Sequence, residues 1–241
     1  MATVILVRHG RTNANADGIL AGRASQVHLD ASGCEQATRV AEQLAVVPLV
    51  AVVSSPLERC RQTSQIIVEH QAGAPRSEIE PAITECDYGQ WQGRRLNELA
   101  KESLWSLVQH QPSAAVFPGG ESLAAMQARS VAAIRRLDAA LEAEHGPGAV
   151  WAAVSHGDPI KSVLADALGM HLDLFQRLTV DPGSISIIHY GQQRPQVIRV
   201  DMVPGDLSWL RNGLPGTEEE VGGGAGPQTA VETGVHAPRI H

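Results

Sequence analysis

The chain has 241 residues, of which 43% are hydrophobic and 19% are charged, so it is long enough to bury a sizeable core. Only 3% of the residues are aromatic, so that core must be built mainly from Ala, Val, Leu and Ile. The formal net charge is -7, which argues against general binding of nucleic acid, because such binding needs a basic surface. No apolar run is long enough to span a membrane.

The first predicted elements are a strand and a helix separated by a long loop. Residues 3–8 form an apolar strand, and the polar, Gly-containing stretch 10–30 is a loop with one helical turn. A helix then begins near Ser32, because Ser32 and Glu35 have the spacing of a capping box and apolar residues recur on one face behind them.

The next strand and helix are marked by a strong helix start signal. Residues 49–53 are an apolar strand. Ser55 is then a natural N-cap, Pro56 suits the first helical position and Glu58 completes a second capping box. The pattern predicts a helix from there to about His70.

The rest of the chain continues the alternation of strands and helices. The remaining predicted elements are an irregular stretch over 72–94, helices over 95–110, 121–144 and 158–168, a strand over 150–155, and strands over 184–190 and 196–201 as a hairpin or a pair of edge strands. This alternation predicts an α/β protein, a three-layer α/β/α sandwich around a mostly parallel sheet. We expect one domain over residues 1–211 and a disordered, Gly/Pro-rich acidic tail over 212–241.

The three cysteines, Cys34, Cys60 and Cys86, are an odd number and form no C-x-x-C pair. Because no basic-then-apolar leader opens the chain, we interpret them as reduced thiols of a cytoplasmic protein. Cys34 and Cys60 lie in predicted helices, where we expect them to be buried. Paired Cys and His motifs of metal sites are absent from the sequence, so no metal or other cofactor is expected.

Residues suited to holding phosphate follow three of the predicted strands. Arg8 and His9 end the first strand, Arg59 lies in the first turn of the helix after the second, and His156 ends the strand over 150–155. The carboxyl ends of parallel strands lie on one edge of a sheet, where helix N-termini also attract anions. Each residue alone has an ordinary structural explanation, but the four together predict a pocket for a dianion.

Four blocks of residues occur in a fixed order along the chain. They are Arg8-His9-Gly10-Arg11-Thr12 with Asn15, Ser54-Ser55-Pro56-Leu57-Glu58-Arg59 with Gln62-Thr63, Glu85 with Tyr88-Gly89 and Gly93, and Ser155-His156-Gly157. In this order and spacing the sequence resembles the histidine phosphatase superfamily, which includes cofactor-dependent phosphoglycerate mutases. The resemblance covers residues 1 to about 200 and implies a phosphoglycerate mutase-like fold.

The resemblance also implies roles for the residues that carry it. His9 would be the nucleophile and would become phosphorylated. Arg8, Arg59 and His156 would hold the phosphoryl oxygens and neutralise their charge. Glu85 would be the general acid, and a pocket shared with phosphate would raise its pKa.

Two other carboxylates compete with Glu85 for the role of general acid. Asp87 lies two residues further along the chain, and we expect it to be exposed in a loop. Asp158 lies two residues after His156, and we expect it to be the N-cap that precedes Pro159.

Further residues are expected at the substrate. Thr12 and Asn15 match positions that touch the phosphoryl group or orient the nucleophile, and local backbone hydrogen bonds are an equal alternative for them. The complete predicted set of substrate-binding residues is Arg8, Thr12, Asn15, Gly22, Arg59, Tyr88, His156 and Gly157. Positions that border the substrate or, as we favour, form loop surface are Gly22, Arg23, Trp91, Arg94 and Arg95.

Three functions are compatible with this pattern. A phosphatase that acts on a small phosphorylated metabolite is favoured over a phosphomutase, because Cys86 follows Glu85 where mutases of the family usually have an arginine. Arg94 and Arg95 could partly substitute for the cations that a mutase needs. A non-catalytic phosphate-binding module is the third function, although such relics typically lose the nucleophile or an arginine. Neither nucleic acid nor membrane is an expected partner, and association into a homo-oligomer stays open.

Overall fold

The computed structural model describes residues 2–205 and 221–222, so the predicted tail over 212–241 lies almost wholly outside the described residues. The strands are β1 Thr3–Arg8, β2 Ala51–Ser54, β3 Arg76–Ile79, β4 Val150–Ser155, β5 Ile185–Tyr190 and β6 Pro195–Met202. The α-helices are α1 Asn13–Ala16, α2 Ala31–Leu44, α3 Glu58–Glu69, α4 Leu96–Leu99, α5 Ser103–His110, α6 Leu123–His145 and α7 Gly157–Ala167. Short 3-10 helices lie at Pro81–Ile83, Gly89–Trp91, Pro112–Ala114 and Leu172–Arg177.

The six strands form one sheet in the order β3-β2-β4-β1-β5-β6. The first four strands of that order run parallel to one another, whereas β5 pairs antiparallel with β1, and β6 pairs antiparallel with β5. This confirms the predicted α/β fold around a mostly parallel sheet. The predicted hairpin is present, but of its two strands β6 alone lies at an edge of the sheet, because β5 lies between β1 and β6.

Helices cover both faces of the sheet, as the side chains of β1 illustrate. Val4 and Leu6 belong to an apolar cluster with residues of α6 and α7, and Ile5 and Val7 belong to one with residues of α2 and α3. Successive side chains of a strand point to opposite faces, so a strand buried on both faces reads as a continuous apolar run. The sheet is therefore the middle layer of three.

Two of the predicted helix caps are wrong. Asp30, not Ser32, caps α2, because its Oδ1 accepts a hydrogen bond from the amide of Gly33 at 2.7 Å. The hydroxyl of Ser32 accepts instead from Nη2 of Arg11 at 3.0 Å. The next helix, α3, begins only at Glu58 without a side-chain cap, since the hydroxyl of Ser55 is used elsewhere.

Three further differences concern exposure and boundaries. Strand β3 lies within the stretch predicted to be irregular, and its mostly polar, exposed residues hide the usual strand pattern. The helix predicted over 95–110 is divided into α4 and α5. Cys34 is exposed rather than buried, because it lies on the outer side of α2, whereas Cys60 is buried as predicted.

The loop after β1 is held tightly against α2. A Cβ atom added to Gly10 would lie 2.2 Å from the carbonyl oxygen of Gly33, a distance that packed atoms do not tolerate. Only a residue without a side chain permits this approach of two backbones. The contact holds the residue before it, His9, at the carboxyl edge of the sheet.

Candidate active site

His9 follows the last residue of β1 and is buried, with 3% of its surface exposed. Its Nδ1 lies 2.7 Å from the carbonyl oxygen of Gly10, which can only accept a hydrogen bond, so Nδ1 carries the proton. Its other nitrogen, Nε2, accepts a hydrogen bond from Nε of Arg59 at 3.2 Å. The imidazole therefore presents an unprotonated nitrogen to the site.

The surroundings of His9 keep its ring neutral. Burial lowers the pKa of His9 well below its ordinary value, and the positive charges of Arg59 and Arg8 lower it further. The carbonyl of Gly10 opposes this effect only in part. A neutral imidazole is the form that acts as a nucleophile.

Arg59, in the first turn of α3, has only 2% of its surface exposed. Its Nη2 donates to the carbonyl of Gly22 at 2.8 Å, and its Nε donates to His9. Its Nη1 is buried and has no hydrogen-bond partner among the described residues. A buried, unpaired guanidinium nitrogen is costly, and an anion beside His9 would satisfy it.

Arg8 and His156 are two further buried residues close to His9. Arg8 is 1% exposed, and its Nη1 donates to the carbonyl of Val180 at 2.7 Å. The ring of His156 meets the ring of His9 edge to face at a centroid distance of 5.2 Å. Burial, followed by the charge of Arg59, holds the pKa of His156 well below its ordinary value.

The helix after β4 begins at this same point. His156 is the N-cap residue of α7, and Gly157 is the first helical residue, so the free amides of this helix end point toward the carboxyl edge of the sheet. The ring of His156 is held by the hydroxyl of Ser55, 2.7 Å from its Nε2. This contact explains why Ser55 does not cap α3. Burial raises the pKa of the nearby Cys60 thiol to about 12, which favours its protonated, less nucleophilic form.

Glu85 is the carboxyl group of the site, and 3% of its surface is exposed. Burial raises the pKa of Glu85 to about 8, and the charge of Asp158 is the second cause. One carboxyl oxygen accepts a hydrogen bond from the amide of Cys86 at 2.9 Å. A carboxyl group whose pKa is raised in this way holds its proton more firmly, which suits a general acid near neutral pH.

The backbone of Glu85 is held by two arginines that the sequence analysis did not place in this role. Its carbonyl accepts from Nε of Arg23 and from Nη2 of Arg129, each at 2.9 Å. Glu121 binds both arginines, at 2.8 Å and 2.6 Å respectively. Glu121 and Arg129 lie far from Glu85 in the sequence. The sequence signal for this arrangement is therefore weak, and consists of the charged residues near the start of α6.

Asp158 is not the helix cap that its position before Pro159 suggests. It lies inside the first turn of α7 and has 1% of its surface exposed. Its Oδ2 accepts from the hydroxyl of Tyr88 at 2.7 Å and from the amide of Gly222 at 3.2 Å. Its Oδ1 has no partner within the part of the chain that is described. Asp158 therefore contacts two residues of the cavity wall, Tyr88 and Gly222, and raises the pKa of Glu85 through its charge.

Thr12 and Asn15 cap helix α1 in a reciprocal manner. The Thr12 hydroxyl accepts a hydrogen bond from the backbone amide of Asn15 at 3.2 Å, and the side-chain Oδ1 of Asn15 accepts one from the backbone amide of Thr12 at 3.1 Å. This is the local hydrogen bonding that we considered as an alternative to substrate contact. Both residues also line the cavity beside His9.

One cavity brings most of the predicted residues together. Those in its wall are His9, Thr12, Asn15, Gly22, Arg59, Glu85 and Tyr88. The predicted residues Arg8, His156 and Gly157 lie outside this wall. Lining residues that the sequence analysis missed are Gly18, Ile19, Leu20, Ala21, Leu96, Val221 and Gly222.

The other residues considered for the substrate border lie outside the cavity wall. Trp91 is buried, not loop surface, because it stacks on Trp105 at a centroid distance of 6.0 Å. Arg94 forms a salt bridge with Glu102 at 2.8 Å. Asp87 is partly exposed in its loop.

Two negative features characterise residues 2–205 and 221–222. No helix in these ranges has both the length and the apolar character to cross a membrane. No group of three or more His, Cys, Asp or Glu side chains in them is placed to hold a metal ion.

Comparisons with known proteins agree on one family. Residues 4–202 match the family model described as the histidine phosphatase superfamily (branch 1). Phosphoserine phosphatase 1 of Hydrogenobacter thermophilus is 30% identical over 207 residues, which cover 84% of this chain and 93% of that protein. The "Probable phosphoglycerate mutase GpmB" of Proteus mirabilis is 32% identical over 217 residues, with 87% and 95% covered. The solved structure of the alpha-ribazole phosphatase from Shigella flexneri has a TM-score of 0.72 and 28% identity, covering 83% of this chain and 96% of that one.

Proposed function

This chain belongs to branch 1 of the histidine phosphatase superfamily, and from that premise we propose that it hydrolyses small phosphate monoesters through a phosphohistidine on His9. The observation that supports this best is the cavity itself. Its wall contains a neutral imidazole, the guanidinium of Arg59 and the protonated carboxyl of Glu85. Those are the nucleophile, the anion clamp and the acid that the reaction needs.

In the first proposed step, Nε2 of His9 attacks phosphorus while the bond from phosphorus to the alcohol oxygen breaks. Nε2 is unprotonated, because the ring proton is held on Nδ1 by the carbonyl of Gly10, and its lone pair becomes free to attack when Nε of Arg59 releases it to bind the phosphoryl group. Arg59 turns its unpaired Nη1 to a phosphoryl oxygen. Arg8 and His156 complete the surroundings of the anion.

Glu85 gives its proton to the departing alcohol oxygen in the same step. In the second step, water attacks the phosphohistidine, its proton passes to the Glu85 carboxylate, and the bond from phosphorus to His9 breaks. Inorganic phosphate leaves, and both residues return to their starting states. Thr12, Asn15, Gly22 and the amide of Gly157 are the proposed further contacts of the phosphoryl group, and Tyr88 of the alcohol part.

A phosphomutase uses the same phosphohistidine and is the alternative, supported by the relative named as a mutase. A mutase returns the phosphoryl group to a second position and must hold an additional anionic group. Arg94, considered from the sequence for that task, is paired with Glu102 instead. We therefore favour transfer to water, with a small phosphorylated metabolite as the partner.

The test is a phosphate-release screen over many phosphate esters, run without a bisphosphate primer. We expect release by the native chain and loss of at least about a thousandfold in His9→Ala, because that variant lacks the nucleophile. The exposed His70 supplies the matched control, His70→Ala, which should keep full activity. A phosphoenzyme stable to alkali and labile to acid should form in the native chain only.

Two results would contradict the proposal. Unchanged turnover by His9→Ala would refute the phosphohistidine. Strict dependence on a bisphosphate primer with negligible phosphate release would favour the mutase.

A further inference from the structure

The cavity has a second wall, which carries none of the proposed catalytic groups and borders the space left for the alcohol part of an ester. It consists of residues 18–21 together with Leu96, Val221 and Gly222. Side chains of this second wall are aliphatic, and Leu20 and Val221 are almost fully buried, at 3% and 1% exposed. Apolar surface offers an anion neither a hydrogen bond nor a compensating charge.

Backbone hydrogen bonds hold the second wall in place before any substrate binds. The amide of Leu20 donates to the carbonyl of Arg94 at 2.9 Å, and the amide of Gly93 donates back to the carbonyl of Leu20 at 2.8 Å. The amide of Leu96 donates to the carbonyl of Gly18 at 2.9 Å. The chemical character of this wall is thus built into the fold.

Among the described residues, Arg59 is the one cation in the wall of the cavity. It faces His9 and belongs to the phosphoryl clamp. Arginines near the cavity are already engaged with protein acceptors. They are Arg11 with Asp30 at 2.8 Å, Arg23 with Glu121 at 2.8 Å, Arg94 with Glu102 at 2.8 Å, and Arg95 with the carbonyl of Asp17 at 3.2 Å.

Negative charge lies close to the second wall. Oδ2 of Asp158 receives both the hydroxyl of Tyr88 and the amide of Gly222, and Tyr88 and Gly222 line the cavity. A carboxylate or second phosphate on the substrate would be desolvated here with no cation in the described cavity wall other than Arg59, and beside a buried carboxylate. Both effects weaken its binding.

We propose that this site selects phosphate monoesters whose alcohol part carries no second anionic group. The inference rests on the proposed phosphatase activity and adds the substrate class to it. Neutral alcohols with some apolar surface fit the second wall, whereas phosphoglycerates and other carboxylate-bearing esters do not.

The test compares two esters that differ in one group. Glycerol 2-phosphate and 2-phosphoglycerate share the phosphorylated carbon, and one has a hydroxymethyl group where the other has a carboxylate. Each is measured as a substrate and as a competitor of p-nitrophenyl phosphate hydrolysis. We expect at least about a tenfold preference for glycerol 2-phosphate in kcat/KM and in competition, since a desolvated and unpaired charge costs this much or more.

A variant pair at Ile19 tests the second wall directly. Ile19 is partly exposed at the cavity, so a lysine there can reach the alcohol part. Ile19→Lys should reduce the preference for glycerol 2-phosphate over 2-phosphoglycerate by about tenfold, because the added cation attracts the carboxylate. The neutral variant Ile19→Gln, of similar length, should leave that preference unchanged.

The outcomes separate the two proposals. Equal competition by the two esters, a preference for 2-phosphoglycerate, or an unchanged ratio in Ile19→Lys would overturn the inference about the alcohol part. Absence of hydrolysis of any ester, p-nitrophenyl phosphate included, would instead refute the phosphatase activity on which it rests.

Discussion

The acidity of Glu85 depends on a buried carboxylate from another part of the chain, and replacing Asp158 by Asn tests this dependence. The substitution removes one negative charge with little change of shape. An amide oxygen at the position of Oδ2 can still accept from the Tyr88 hydroxyl and the Gly222 amide. The other oxygen, Oδ1, has no partner within the described residues, so an amide nitrogen there breaks no hydrogen bond.

The size of the effect follows from the pKa of Glu85. It rises from 4.5 to about 8, which corresponds to roughly 5 kcal/mol in favour of the protonated carboxyl. Burial is the larger cause and Asp158 the second. We therefore expect Asp158→Asn to lower this pKa by about 1 pH unit, or roughly 1.4 kcal/mol.

The assay is the pH dependence of kcat/KM for an alkyl ester such as glycerol 2-phosphate. An alkoxide needs a proton in order to leave, so in the proposed mechanism the alkaline limb of the profile reports the acid form of Glu85. That limb should move to lower pH in Asp158→Asn, with kcat/KM about tenfold lower near pH 9 and little changed near pH 6. Hydrolysis of p-nitrophenyl phosphate, whose phenolate leaves unprotonated, should be much less affected.

Asp87→Asn is the matched control. Asp87 lies two residues from Glu85, is partly exposed, and is not among the main causes of the raised pKa of Glu85. Its profile should match that of the native chain. An alkaline limb of Asp158→Asn that overlays the native one, or that moves to higher pH, would refute the reasoning.

Three further predictions concern stability. The pKa of Glu85 is raised on folding, so the folded state binds more protons than the unfolded state between about pH 4.5 and 8. As the pH rises through that window, the free energy of unfolding measured with denaturant should therefore fall by roughly 2–4 kcal/mol in the native chain relative to Glu85→Gln. The same pH dependence of unfolding in both proteins would contradict this. Gly10→Ala should destabilise the fold by at least about 2 kcal/mol, because its Cβ would lie 2.2 Å from a backbone oxygen. Gly73 has open space around it, so Gly73→Ala should not destabilise the fold, and equal unfolding midpoints of the two variants would disprove this. Trp151→Phe should cost about 2–3 kcal/mol, because it removes the 3.0 Å hydrogen bond to the buried carboxylate of Asp138, and a thermal midpoint within a degree of the native value would be inconsistent with that loss.

Local patterns in the sequence predicted much of this protein. An apolar strand followed by Arg8 and His9 predicted the first strand and the groups at its end, and β4 followed by His156 did the same. Such signals involve neighbours in the chain, and the parallel sheet then brings the strand ends to one edge. The helix α6 was predicted for a similar reason, since its apolar residues recur with the helical period.

Local patterns failed where a side chain had a distant partner. Ser55 and Asp158 both have the sequence context of helix caps, yet Ser55 holds the ring of His156 and Asp158 accepts from Tyr88. Strand β3 was missed because its mostly exposed residues need no apolar pattern, only a neighbouring strand to pair with.

The sequence alone therefore determined which groups lie at the ends of β1 and β4, because a strand and the residues that follow it are a local structure. Only the tertiary structure decided how those groups are tuned. The pKa of Glu85 depends on burial and on Asp158, 73 positions away, and its backbone is held by Arg129 from a helix 44 positions away. The character of the second wall likewise depends on Leu20 and Val221, which only folding brings together. Burial and the pairing of charges depend on which residues are neighbours in space. Those neighbours are often distant in the sequence, so local sequence patterns do not reveal them.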